Sequence, residues 1–192
     1  DNSFDGVTVG RNRLTVEDVR YLTGTLGIRT DLDLRSTAET ANMKTSPLGP
    51  SVKFVQNPSY SYSSIFTENG RRAMAANFRL FLDRMNYPVY FHCIAGADRT
   101  GALAYVLNGV LGVSRRELET DWESTFYPNL PCDTDGTCRE HHFDEGFSAY
   151  GSDADDWNRR VELYLLDCGI MEQEIETFRN IMLEDTGKDT EK

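Results

Sequence analysis

The chain lacks any apolar run of the roughly 20 residues that a membrane-spanning helix requires. Its longest candidate, Ala102 to Val113, is interrupted by Asn108 and Gly109, so no transmembrane segment is expected. It also lacks a block of lysine and arginine: 31 acidic residues against 20 basic ones leave a net charge of -11. Nucleic-acid backbones are held by clustered cations, so nucleic acid is not an expected partner. An anionic small substrate stays open, because a few amides and one arginine bind phosphate inside an acidic protein. Histidine is scarce, and His92, His141 and His142 are too few and too poorly spaced for a zinc site. No metal or other cofactor is expected. The chain opens at Asp1 without a methionine, which suggests a removed leader.

What is present is ordinary globular material. With 39% hydrophobic and 11% aromatic residues over 192 positions, one domain spanning 1–192 with a sizeable core is expected. Of the four cysteines, Cys132 and Cys138 bracket a short polar loop. A disulfide there implies an oxidising compartment, and two loop thiols remain an equal alternative. With few lysines, the reading leans to a secreted or periplasmic protein, with the cytoplasm as the alternative. Cys168, in an apolar helix, reads as a small core residue.

Periodicity predicts an α/β arrangement: a mainly parallel central sheet flanked by helices. Thr15 and Asp18 cap a first helix that carries Val16, Val19, Leu22 and Leu26 on one face as far as Gly27. Strands are expected at Ile28 to Leu34, Val52 to Val55 and Val89 to Phe91, and a loop over 37–51. A helix from Asn69 to Met85 presents Met74, Phe78, Phe81, Leu82 and Met85 inward. Another begins at Arg99 or Thr100, and Ser114 with Glu117 caps a third running through Trp122. Residues 126–151 form a long irregular insertion. Helices at Asp153 to Asp167 and Met171 to Leu183 close the chain, the last with Ile175, Phe178, Ile181 and Met182 inward.

The chemistry concentrates in His92-Cys93-Ile94-Ala95-Gly96-Ala97-Asp98-Arg99-Thr100-Gly101. A cysteine ending a strand, with an arginine opening a helix six residues later, allows the amides from Ile94 to Arg99 to converge on one anion. The helix dipole and Arg99 then favour a thiolate at Cys93. Such a thiolate attacks phosphorus in line, while the Arg99 fork holds two equatorial oxygens. Gly96 turns the loop, Gly101 permits close helix packing, and Thr100 donates to the Cys93 sulfur. His92 orients the loop, since an ionised cysteine needs no base.

The run from His92 to Gly101 resembles the signature of protein tyrosine and dual-specificity phosphatases. Together with Asp33-Leu34-Arg35-Ser36 and the pair Asp98-Arg99, it resembles the bacterial tyrosine-phosphatase-like group over residues 14 to 183. The resemblance implies a cysteine phosphatase fold, phosphorylated protein or a small phosphomonoester as substrate, and a cysteinyl-phosphate intermediate. Two departures stand out. Ala97 replaces a lysine common in that group, and the tryptophan-proline-aspartate loop of typical tyrosine phosphatases is missing. The general acid is left between Asp98 and Asp33. Arg35 is either a rim contact to phosphate or a structural partner of Asp33, and Tyr60 and Tyr62 are candidate pocket walls. Alternatives are hydrolysis of inositol polyphosphates or phosphoinositides, a phosphate-binding module without turnover, and arsenate or sulfur chemistry with a second thiol.

Overall fold

The computed structural model describes residues 14–124, 145–152 and 156–183. Three short parallel strands lie at its centre: β1 Thr30–Asp33, β2 Lys53–Gln56 and β3 Val89–His92, in the order β2-β1-β3. Alternation divides their side chains between two faces. Leu32, Val55, Val89 and Phe91 join the apolar core. On β1 the alternate residues are Asp31 and Asp33, and both are fully buried. Asp31 registers with Tyr90, and Asp33 with His92. One sheet face is therefore polar. Loop 37–51 serves it, since Ser46 donates to Asp31 and Thr40 receives a hydrogen bond from Gln56.

Around the sheet lie the α-helices α1 Val16–Arg20, α2 Glu68–Leu80, α3 Asp98–Val110, α4 Arg115–Ser124, α5 Trp157–Asp167 and α6 Glu172–Met182, with a further helical turn at 145–148. None is long and apolar enough to cross a membrane. The central helix is α3. Leu103, Tyr105, Val106 and Val110 are buried along it, and a Cβ at its Gly109 would come within 3.0 Å of Val161 in α5. The α2 helix packs against α6 through Phe78 and Phe178, whose ring centroids are 5.1 Å apart, and against β3 through Phe81 and Phe91 at 5.8 Å.

Three helical expectations need correction. The α1 cap forms as a Thr15–Asp18 capping box, but Val16 and Leu26 are exposed and nothing in α1 is buried. The chain widens into a π-turn over Tyr21–Thr25, so the 3.6-residue period does not carry through to Leu26. The α2 helix stops at Leu80 rather than reaching Met85, which is 74% exposed. There Asp83 accepts a hydrogen bond from the Met85 amide and caps a separate 3-10 turn, Arg84–Asn86, in competition with helix continuation. In α6, Ile175 and Phe178 are fully buried, but Met182 is exposed at the last turn. Cys132, Cys138, His141, His142 and most of the insertion at 126–151 lie outside the described residues.

Candidate active site

The carboxyl end of β3 and the amino end of α3 are joined by the five residues from Cys93 to Ala97. Gly96 turns this loop with φ at +74, a conformation that costs a residue with a Cβ about 1–2 kcal/mol. Ala97 is the N-cap of α3 and supplies no capping side chain, so the first amides of the helix are left to partners from the loop, the Thr100 amide meeting the Cys93 sulfur. Ile94, Ala95 and Gly96 form an exposed rim, whereas Cys93 and Ala97 are buried.

Cys93 is a low-pKa thiol by geometry. Burial pushes it up, but the Thr100 hydroxyl and amide, together with the Gly96 and Ala95 amides, hydrogen-bond its sulfur and hold it below the usual thiol range. The Thr100 hydroxyl is itself buried. Cys168 contrasts with it. Burial pushes that thiol up to about 12 at the C-cap of α5, where it stays protonated near neutrality and makes a poor second thiol for arsenate or sulfur chemistry.

Arg99 is gripped end-on by Glu39: Nη1 donates to Oε2 at 2.8 Å and Nη2 to Oε1 at 2.9 Å. That arginine holds the Glu39 carboxyl down at about 2, against partial desolvation and with help from Ser36. Glu39 is itself fixed, because the Ser36 amide donates to Oε2 at 2.7 Å and the Ser36 hydroxyl accepts from the Glu39 amide at 3.3 Å. The segment after β1 thus aims the arginine of the loop after β3. Residue reasoning assigned Glu39 no role, although Ser36-x-x-Glu39 has capping-box spacing, the signal that finds it.

Asp33 and Arg35 pair with each other. The Arg35 Nε lies 2.9 and 3.1 Å from the two Asp33 oxygens, Nη2 lies 2.7 Å from Oδ2, and the Arg35 amide donates to Oδ1 at 2.9 Å. Asp33 is fully buried and Arg35 nearly so. This geometry matches the reading of Arg35 as a structural partner of Asp33: the buried pair braces the end of β1. Asp98 opens α3 in the cradle itself, half-buried, with the Tyr62 hydroxyl donating to its Oδ1.

His92 is held at both ring nitrogens. Nδ1 meets the Cys93 carbonyl at 3.2 Å, and Nε2 meets Asp31 Oδ1 at 3.0 Å. The other Asp31 oxygen accepts from Ser46 at 2.6 Å. The ring therefore fastens the backbone of the cysteine to the polar sheet face. Asp31 and Ser46 carried no sequence signal beyond the alternation of β1. Gly101 faces Trp122, whose ring would lie 2.8 Å from an added Cβ, so α4 closes directly on the first turns of α3.

The profile of the tyrosine phosphatase family matches residues 10–184, taking in every part of this site. The chain belongs to that family. Phosphatase chemistry on phosphorylated substrates follows from the membership. No curated protein matches the chain.

Proposed function

We propose that this chain hydrolyses phosphomonoesters through a cysteinyl-phosphate on Cys93, with phosphotyrosine-bearing protein as the substrate class. The observation that carries the reading is the convergence on one buried sulfur of the Thr100 hydroxyl and the Thr100, Gly96 and Ala95 amides, with Arg99 alongside. Donors that stabilise a thiolate also suit the phosphoryl oxygens that approach it. The Cys93 sulfur attacks phosphorus, the ester P–O bond breaks, and Asp98 gives a proton to the departing oxygen. Water then attacks the thiophosphate ester, Asp98 takes a proton back, and the thiolate leaves with phosphate.

Asp98 is the acid because its carboxyl stands in the cradle, half-buried, whereas Asp33 is sealed against Arg35. An acid at that position favours turnover over mere binding. Two features favour an aryl phosphate over inositol polyphosphates. Ala97 leaves the position before Asp98 uncharged, and the half-buried ring of Tyr62 stands next to Asp98. The test is phosphate release from phosphotyrosine peptide, phosphoserine peptide, phosphoinositide and inositol hexakisphosphate by wild type and Cys93→Ser. Release from phosphotyrosine peptide that disappears in the variant is expected. Activity that survives Cys93→Ser would refute the mechanism, and preference for an inositol phosphate would refute the substrate class.

A further inference from the structure

Tyr62 is the residue near the cradle that neither the nucleophile nor the phosphate-binding amides explain. It opens the 3-10 turn Tyr62–Phe66 with φ at +51, a left-handed conformation that a tyrosine adopts only when its surroundings impose it. Two contacts do so. Its hydroxyl donates to Asp98 Oδ1 at 2.5 Å, and its ring stands edge-on to Trp122, centroids 5.8 Å apart at 79°. Trp122 in turn is seated against Gly101. A continuous line of packing therefore runs from α4 through the Tyr62 ring to a carboxyl in the first turn of α3.

An aspartate in the first turn of a helix is free to rotate back and cap its own amides. A donor on Oδ1 opposes that rotation and assigns the two oxygens different tasks. We propose that Tyr62 is a positioning residue for proton transfer, a reading that rests on Asp98 being the acid. Tyr62 holds Oδ1, and the transferable proton resides on Oδ2. As the sulfur–phosphorus bond forms and the ester P–O bond breaks, the electron pair passes to the leaving oxygen, which takes the Oδ2 proton. Tyr62 keeps its own proton throughout. Its bond to Oδ1 strengthens as the carboxylate develops, so it contributes more in the transition state than before it.

The experiment compares wild type, Tyr62→Phe, Asp98→Asn and the double variant on two substrates. Phenyl phosphate needs its leaving group protonated, and dinitrophenyl phosphate does not. Phenylalanine keeps the ring on Trp122, and thermal unfolding of each variant confirms that the fold is retained. Tyr62→Phe is expected to lower kcat on phenyl phosphate about tenfold to a hundredfold, the worth of one hydrogen bond to a developing charge, with KM unmoved. Dinitrophenyl phosphate should be turned over nearly as before, and in the Asp98→Asn background the same change should cost nothing further. Equal loss on both substrates, or undiminished loss in the Asp98→Asn background, would show that Tyr62 only supports packing and would overturn the proposal. If Asp98→Asn itself slows both substrates alike, Asp98 is not the acid, and the underlying assignment falls with it.

Discussion

Thr100 and Glu39 act on the two functional groups of the cradle, one on the sulfur and the other on the guanidinium. Replacing Thr100 with Ala removes the side-chain donor to Cys93, and the ionisation of Cys93 should move to higher pH. The rate of alkylation by iodoacetamide against pH measures this directly; an unmoved profile would mean that the amides alone hold the thiolate. Glu39→Gln leaves Arg99 without its end-on partner, and kcat/KM should fall about tenfold through misplacement of the fork. At this scale the sequence was legible where one motif holds all the participants. Cys93, Arg99, Thr100 and Gly96 lie within a few residues of one another, so spacing alone implies the cradle. Glu39, Asp31 and Ser46 reach it only through the pairing of β1 with β3, and linear spacing says nothing of that pairing. That Arg35 turns onto both oxygens of Asp33 likewise depends on the folded end of β1 and is not given by spacing alone.

Among the elements, the placing of α3 decides whether the cradle exists, and α4 sets that placing through Trp122. Gly101→Ala would push a methyl into the indole, and overpacking of this kind costs about 1–3 kcal/mol. A lowered melting temperature with weakened phosphate binding is expected, whereas a neutral effect would mean that α4 adapts freely. Phe178→Ala, which empties the contact between α6 and both Phe78 and Phe81, should cost about 3–5 kcal/mol in denaturant unfolding and leave the cradle geometry in the folded fraction intact. The strands, the start of α3 and the caps of α1 and α4 were readable because local chemistry specifies them. The end of α2 was not: the apolar spacing continues to Met85, but the chain closes at Phe81 and Asp83 then caps a separate turn. The inward face expected for α1 failed for a related reason, since a π-turn shifts the phase of the pattern.

For the whole molecule, the sheet has one apolar and one polar face, and the polar face links β1, loop 37–51 and the loop after β3. Acid should loosen this side. The carboxyl of Glu39 titrates at about 2 when folded, below its usual 4.5, so the stability it contributes is complete above pH 4.5 and is lost as pH falls toward 2. Stability measured by denaturant across that window should decline more steeply for wild type than for Glu39→Gln, and identical slopes would mean that the Arg99 pair contributes no net stability.

The central claim is that Cys93 carries the phosphoryl group, and trapping the intermediate tests it most directly. The enzyme is mixed with an aryl phosphate, quenched in acid within a turnover and digested, and the peptide containing Cys93 is weighed. A phosphoryl group on Cys93, absent in Cys93→Ser, is the predicted result. Full phosphate release with no phosphorylated cysteine at any quench time, or undiminished turnover by Cys93→Ser, would contradict the account.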